Sequence, residues 1–258
     1  MPTIAIANQK GGVGKTTTVV NLASYLGAGN DKVLVIDCDP QGNATAGLGL
    51  RDAAYGLYDV LLEGVPLEHA IARSVEEDVD LLPSAPDLAG AEIELLDVEE
   101  RTGRLRAALE AVTGWYRYIL IDCPPSLGLL TLNALVAADA VLVPVQCEYL
   151  ALEGLVRLMG TIDRVRAQAN PRLKILGLVL TMYDGRTMLS HQVAGEVRQH
   201  YPSLTFDSLI PRNVRLSEAP SFGQSIRRYD PSSRGALAYR ALAAEVASRL
   251  HAREAIAL

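Results

Sequence analysis

The chain has 258 residues, enough for one α/β domain with a complete core, and we predict a single domain over residues 1–258. Hydrophobic residues make up 49% and charged residues 21%, an ordinary globular mixture, and no apolar run approaches the roughly 18 residues that cross a bilayer. The net charge of −6 argues against a nucleic-acid partner when it is taken over the whole chain.

Apolar runs of strand length recur along the chain and predict a parallel sheet. They are nearly continuous in Val, Ile and Leu, which is typical of strands buried on both faces. The runs occupy residues 3–8, 33–37, 79–83, 118–122, 140–145 and 175–181. Helix-like segments alternate with them, which predicts an α/β fold; with the phosphate-binding loop described below, the P-loop NTPase type is expected. Its doubly wound, mostly parallel sheet is flanked by helices, and ligands are expected at the carboxyl ends of the strands.

Two regions between these strands carry specific expectations. The first predicted helix begins at Lys15 and ends at Gly27, where a glycine cap is expected. Residues 50–112 are the least regular part of the chain. Within them, residues 56–73 and the acidic segment 92–100 are predicted to be helical surface that a partner could use.

The loop after the first strand has the character of a phosphate-binding loop. Gly14, Lys15 and Thr16 match the end of the pattern G-x-x-x-x-G-K-[ST], but Gln9 stands at its first glycine, so the loop is a variant. Lys15 is predicted to neutralise the β- and γ-phosphates and Thr16 to ligate Mg²⁺. Backbone N–H groups and the helix N-terminus are expected to cradle phosphate oxygens. The predicted nucleotide-binding residues are Gly11, Gly12, Val13, Gly14, Lys15, Thr16 and Thr17.

Carboxylates stand at two further strand ends. Asp122 ends the run 118–122 and suits the acidic group that orients Mg²⁺ through water. Asp37 and Asp39 close the run 33–37, two carboxylates on the same side of a short extended segment. Each segment alone could be an aspartate that caps the next helix. Together with the phosphate loop, in order and each after a strand, they favour a nucleotide site.

Five segments together resemble the deviant Walker A ATPases of the ParA/Soj chromosome- and plasmid-partition family: KGGVGKTT, DCDPQGNAT, DCPPS, LTMYDGRT and PRNVRLSEAPSFGQSI. The resemblance covers nearly the whole chain. The first motif is shared with MinD-like and nitrogenase-iron-protein-like members of the wider superfamily, whereas the last two are more specific to ParA/Soj. Because the chain starts directly at its first strand, the short chromosomal type without an extra N-terminal DNA-binding domain is expected. The resemblance implies an ATPase with ATP and Mg²⁺ as cofactors.

The resemblance also implies roles for individual residues. Lys10 would reach across a homodimer interface to the partner's nucleotide, as an arginine finger does. Asp39 would orient the attacking water, Asp37 would lie near the metal waters, and Pro211 and Asn213 would lie beside the adenine. The candidate catalytic residues are therefore Lys10, Lys15 and Asp39, and the candidate metal residues are Thr16, Asp37 and Asp122.

Basic residues concentrate in the later part of the chain. Residues 1–150 hold nine basic and 21 acidic side chains, whereas residues 151–258 hold 15 and nine. This asymmetry is compatible with a polyanion-binding face or with solvated helix surfaces. By resemblance, Arg186 and Arg215 match positions used for sequence-independent DNA binding. The full set of candidates is Arg186, Arg212, Arg215, Arg227 and Arg228.

The resemblance implies a switch in which the ATP-bound homodimer binds double-stranded DNA non-specifically. Slow hydrolysis, stimulated by a ParB/Spo0J-like centromere-binding partner, would release it, in the cytoplasm and on the nucleoid. Three widely spaced cysteines and the lack of a visible secretory signal agree with a reducing cytoplasm.

Two alternatives stay open. One is a MinD-like membrane-associated positioning ATPase, which would need an amphipathic C-terminal helix. The tail offers only Leu250, Ile256 and Leu258 as large apolar groups, so no membrane is expected. The other is an electron-transfer or metabolic enzyme on the same fold. Cys38 and Cys123 lack paired-cysteine spacing, so we predict that they are small buried residues.

Overall fold

The strands of the chain belong to one sheet. The computed structural model describes residues 1–149 and 151–256. The strands are β1 (Thr3–Ile6), β2 (Val33–Asp37), β3 (Ala72–Glu76), β4 (Val79–Leu82), β5 (Tyr118–Asp122), β6 (Ala140–Gln146), β7 (Lys174–Tyr183) and β8 (Thr205–Pro211). Their order across the sheet is β3-β4-β2-β5-β1-β6-β7-β8, and every neighbouring pair is parallel except the antiparallel pair β3 and β4. The predicted doubly wound, mostly parallel sheet is confirmed.

Helices connect the strands and cover both faces of the sheet. They are α1 (Lys15–Gly27), α2 (Asn43–Gly47), α3 (Leu67–Ala70), α4 (Leu88–Glu94), α5 (Arg104–Leu109), α6 (Leu129–Ala137), α7 (Ala151–Gln168), α8 (Met188–His200), α9 (Val214–Glu218), α10 (Ile226–Tyr229) and α11 (Arg234–Ile256). One apolar core lies beneath α1 and α11, and the other beneath α5 to α8. Ile4 and Ala5 of β1 belong to different cores, because successive side chains of a strand point to opposite faces.

The two strands that the sequence did not predict are the two edges of the sheet. β3 carries exposed residues, and β8 alternates buried with exposed ones such as Asp207. An edge strand is only partly covered, so it lacks the continuous apolar run that marks the central strands.

Other local predictions need correction. Residues 56–73 are not only surface, since Leu57, Leu61 and Leu67 are fully or almost fully buried in the core. Gly27 is the last residue of α1 and not a left-handed cap; Ala28 caps the helix in a right-handed conformation. In the C-terminal tail, Leu258 and the side chain of Ile256 lie outside the described residues.

Candidate nucleotide-binding site

The phosphate loop joins β1 to α1 at the carboxyl edge of the sheet. Gly12 and Gly14 have φ values of 72° and 90°, a left-handed backbone that glycine adopts without strain. Val13 between them is buried, and its carbonyl accepts a hydrogen bond from Thr181 Oγ1 at 2.8 Å. The loop is thereby anchored to β7, and the first amides of the 13-residue helix α1 open onto a cavity.

Lys15 lies at the start of α1 with only 7% of the residue exposed. Its Nζ is 3.4 Å from the carbonyl oxygen of Lys10. Burial lowers the pKa of Lys15 because the charged form loses solvation, while the nearby carboxylates of Asp122 and Asp39 act in the opposite direction. An anion between this ammonium and the helix N-terminus would compensate the lost solvation.

Lys10 belongs to the same loop but points elsewhere. Its backbone N–H donates to Asn8 Oδ1 at 3.0 Å, and Asn8 in turn donates to the carbonyl of Pro144 at 2.6 Å. The Lys10 ammonium lies 3.8 Å from a carboxylate oxygen of Glu148, in the loop after β6. Lys10 does not line the cavity that holds Lys15. The two lysines therefore share a loop without sharing a site.

Asp122 ends β5 beside Asp37 of β2, and the register pairs these two residues directly. Both are fully buried. Neither carboxylate oxygen of Asp122 has a hydrogen-bond partner among the described residues. Burial and the charge of Asp37 raise the pKa of Asp122 well above its usual value, and the Thr16 hydroxyl and Lys15 counteract this. An orphaned buried carboxylate next to a threonine hydroxyl fits an oxygen-coordinated cation such as Mg²⁺.

Asp37, in contrast, uses both carboxylate oxygens within its own loop. It accepts hydrogen bonds from the backbone N–H of Asp39 at 3.2 Å and from the backbone and hydroxyl of Thr45 at 2.8 and 2.7 Å. Burial raises its pKa to about 6 against these hydrogen bonds. Asp37 thus holds the loop in shape, and Asp122 is the better placed of the two for a metal. Sequence reasoning missed Thr45, although it ends the quoted segment DCDPQGNAT.

Asp39 lines the same cavity as the phosphate loop. This cavity has a volume of about 430 Å³ and is also lined by Gly11, Gly12, Gly14, Lys15, Thr16 and Thr17. The Oδ1 atom of Asp39 accepts a hydrogen bond from the backbone N–H of Gln41 at 3.0 Å. The tertiary structure therefore places the Asp39 carboxylate, just after β2, beside the phosphate loop that follows β1.

A second cavity of about 290 Å³ adjoins the first, and Gly14, Thr17, Met182 and Pro220 line both. Pro211 and Asn213, the predicted adenine neighbours, line this second cavity. Pro211 ends β8, and Asn213 caps α9 by accepting a hydrogen bond from Arg215. Met182 was not predicted; it has a positive φ of 51°, which a local sequence pattern does not signal.

Three of the predicted arginines share the carboxyl edge of the sheet. Arg186 follows β7, Arg212 follows β8, and Arg215 lies in α9. Each is held by carboxylates of the chain: Arg186 by Asp184 at 2.8 Å, Arg212 by Glu148 at 3.1 Å and Arg215 by Glu218 at 2.8 Å. The side chains are 88%, 62% and 54% exposed, so these pairs are weak and can be exchanged for other anions.

Arg227 and Arg228 lie on α10, which packs against α1 and also contacts α9, the helix that carries Arg215. Arg227 donates to the carbonyl of Ser24 at 3.0 Å and pairs with Glu77 at 3.3 Å. Arg228 is exposed. Of the predicted basic set, Arg227 therefore has structural partners on α1 and in the turn between β3 and β4.

The cysteines are buried, as predicted. Cys38 and Cys123 are almost inaccessible, and burial raises the pKa of both thiols. Protonated thiols in apolar surroundings behave as small hydrophobic side chains.

The fold and this loop define a P-loop nucleotide-binding protein with an additional loop lysine. A family model described as an AAA domain matches residues 1–175. The chain is 54% identical to chromosome partitioning protein ParA of Caulobacter vibrioides, covering 98% of this chain and 96% of that protein. It is 54% identical to chromosome-partitioning ATPase Soj of Thermus thermophilus, covering 96% of each.

Among solved structures, cobyrinic acid a,c-diamide synthase from Mycobacterium smegmatis, with bound ADP and magnesium, is 40% identical with a TM-score of 0.83. That match covers 95% of this chain and 93% of the other. The identities to the partition proteins are higher and extend over nearly the full length. The chain belongs to the ParA/Soj family of chromosome-partitioning ATPases.

Proposed function

We propose that the chain is an ATP-driven switch for DNA partition, in which nucleotide at the variant phosphate loop joins two copies of a single-domain protein. The observation that carries the proposal is the divergence of the two loop lysines. Lys15 lies in the phosphate cavity, whereas the Lys10 ammonium lies outside it beside Glu148. The higher identity to partition proteins than to the diamide synthase favours partition over a metabolic activity.

ATP and Mg²⁺ are the proposed ligands of the site. Lys15 and the amides from Gly11 to Thr17 would bind the phosphates, and Pro211 and Asn213 would line the adenine cavity. The Thr16 hydroxyl and Asp122 would hold Mg²⁺, directly or through water. Bound Mg²⁺ neutralises charge on the β- and γ-phosphate oxygens.

Asp39 is proposed to orient the water that attacks the γ-phosphate. It lines the phosphate cavity, and the hydrogen bond from Gln41 restricts its orientation. Positioning by one carboxylate gives slow turnover, which suits a switch. Asp39 would therefore set the lifetime of the ATP-bound state.

The Asp39→Ala variant is expected to bind ATP but to hydrolyse it at least about 100-fold more slowly. This is the lower end of the effect of losing a general acid–base side chain. It should accumulate as an ATP-bound dimer on sizing chromatography. Asp52→Ala, at an exposed position, is the matched control. ATP turnover at the wild-type rate in Asp39→Ala would show that another group orients the water.

DNA binding is proposed at the carboxyl-edge arginines, Arg186, Arg212 and Arg215. Arginine suits phosphate because its planar fork can donate two hydrogen bonds. One copy offers few contacts, and an ATP-linked dimer would double them. Non-specific affinity should then be micromolar or weaker at physiological salt, on the order expected for backbone contacts alone.

Co-sedimentation with double-stranded DNA, in ATP, ADP or no nucleotide and at two salt concentrations, tests the switch. We expect retention with ATP that falls steeply as salt rises, because counterions are released from the DNA. Equal retention in all three nucleotide states would contradict a nucleotide-controlled switch.

The Arg215→Glu variant is expected to lose DNA retention at physiological salt while it still dimerises with ATP. Each lost phosphate contact lowers the slope of log K against log salt by about one, hence about two in a symmetric dimer. Arg106→Glu is the control, since it makes the same charge change at an exposed position of α5, which packs on the other core from the Arg215 helix α9. Gel-shift affinities equal to wild type in Arg215→Glu would remove this residue from the DNA surface.

A ParB/Spo0J-like partner is proposed to stimulate hydrolysis and thereby release the dimer from nucleoid DNA. No helix within residues 1–149 and 151–256 combines the length and apolar character that crossing a bilayer requires. The MinD-like alternative would instead need an amphipathic C-terminal helix with apolar groups free to insert. Leu250, one of the few large apolar residues of the tail, is only 7% exposed and packs in the core beneath α11.

A further inference from the structure

The acidic segment 92–100 contains one carboxylate that turns inward. Glu92 is partly buried on α4, whereas the other acidic residues of the segment, Glu94, Asp97, Glu99 and Glu100, are exposed. A solvated helix face does not account for this difference. The contacts of Glu92 give it a separate role.

Glu92 caps a helix that lies 37 residues further along the chain. Its Oε2 accepts a hydrogen bond from the backbone N–H of Leu129 at 2.6 Å, and its Oε1 accepts one from Leu130 at 3.4 Å. These are the first two amides of α6, whose own cap residue, Gly128, has no side chain to satisfy them. A carboxylate at this position also interacts favourably with the helix dipole.

Gly128 is matched to this cap. A Cβ built on Gly128 would collide with the Glu92 carboxylate. The φ of Gly128 is −80°, which other residues adopt, so a Cβ here would not strain the backbone but would displace the flexible Glu92 carboxylate from the cap. Glu92 and Gly128 are in direct contact, and a substitution at either position would disturb the cap.

α6, the helix that Glu92 caps, follows loop 123–128. This loop begins directly after Asp122 and contains Pro125. At the β5 end, Cys38 N–H donates to the Asp122 carbonyl at 3.0 Å, and Cys123 N–H donates to Ile6 at 3.2 Å. Pro125 lines the phosphate cavity. Pro124 and Pro125 have restricted φ, which limits how far residues 124 and 125 can absorb a shift of α6 before it reaches the site.

We propose that Glu92 is a positioning residue for the nucleotide site. It fixes the α6 end of loop 123–128 and so keeps Pro125 and the Asp122 carboxylate in register with the phosphate loop. The inference rests on the proposed function of that site. It gives the acidic segment a structural role within the subunit, the capping of α6 by Glu92.

The test compares Glu92→Ala and Glu92→Gln with Glu94→Ala, which removes an exposed carboxylate of the same helix that accepts from the Tyr58 hydroxyl. We expect Glu92→Ala to lower kcat by about tenfold and to raise the Mg²⁺ concentration for half-maximal turnover, as a small misplacement does. ATP affinity in EDTA should stay within about twofold of wild type, since the phosphate loop is untouched. Glu92→Gln should be intermediate, because its amide oxygen can still accept one hydrogen bond.

Hydrogen exchange of residues 123–132 gives a readout that does not depend on turnover. Loss of the cap should speed exchange there about fivefold or more in Glu92→Ala and leave it unchanged in Glu94→Ala. Gly128→Ala should reproduce the Glu92→Ala effect, and the double variant should add little to either single change.

The outcomes separate the inference about Glu92 from the proposed function of the site. Wild-type exchange and wild-type Mg²⁺ dependence in Glu92→Ala would overturn the inference. Faster exchange in 123–132 with unchanged turnover would also overturn it, because Glu92 would then only stabilise α6. Absence of Mg²⁺-dependent turnover in the wild-type protein would contradict the proposed function instead, and the exchange comparison would still decide whether Glu92 fixes the loop.

Discussion

The Lys15→Ala variant is expected to lose ATP binding. Lys15 stands buried at the start of α1 beside Asp122 and Asp39, where its ammonium offsets both carboxylates and faces the phosphate cavity. Hydrogen bonds to charged groups contribute about 1.5–3 kcal/mol each, and an unpaired Asp122 would also repel the phosphates. Affinity for ATP should therefore fall at least about 100-fold, as measured by isothermal titration calorimetry.

Lys32→Ala is the control for this variant, because Lys32 is an exposed lysine before β2. Thermal unfolding of both variants separates a lost ligand contact from a lost fold. An ATP titration of folded Lys15→Ala that matches wild type would place the phosphate site elsewhere in the chain.

The Lys10→Ala variant is expected to bind ATP normally and to remain monomeric with it. The Lys10 ammonium lies outside the phosphate cavity of its own subunit, so its removal leaves that cavity intact. In the proposed dimer, each Lys10 contacts the nucleotide of the other copy, and two-fold symmetry removes both contacts at once. Each charged contact costs about 2 kcal/mol or more when truncated, which should abolish the dimer at micromolar concentration.

Sizing chromatography with light scattering, in the presence of ATP and Mg²⁺, measures this effect. Lys174→Ala is the control, because Lys174 is exposed at the amino end of β7, on the opposite edge of the sheet. ATP-dependent dimers of Lys10→Ala with wild-type stability would mean that the additional lysine acts within its own subunit. Glu148 would then be its functional partner.

The central part of the fold could be predicted from sequence because its strands are covered on both sides. β1, β2, β4, β5, β6 and β7 all coincide with nearly continuous apolar runs. β3 and β8 were missed because an edge strand is partly solvated, and its residues alternate in polarity or follow no pattern. The sequence predicts surface for residues 56–73 although Leu57, Leu61 and Leu67 complete the core. The helical segments there, Asp59–Glu63 and Leu67–Ala70, are too short for a periodic signal.

The candidate site was predictable where one motif carries it and unpredictable where distant segments meet. Gly14, Lys15 and Thr16 were identified from spacing within one loop, and they line one cavity. Thr45 and Met182 were not identified, since their roles depend on contacts across the fold. The predicted arginines looked like one basic set, but Arg227 packs on α1 while Arg186 and Arg215 share the carboxyl edge.

The sequence by itself determined the kind of fold, the phosphate loop and the family of this protein, because these depend on residue type and on spacing between near neighbours. Only the tertiary structure decided that Lys15 faces the phosphate cavity and Lys10 does not, and that Glu92 caps α6, the helix after the loop that follows Asp122. These outcomes depend on Glu148 after β6 and on a helix cap formed across 37 residues. Contacts between positions so far apart leave no local pattern, and they form only when the sheet brings the carboxyl ends of its strands together.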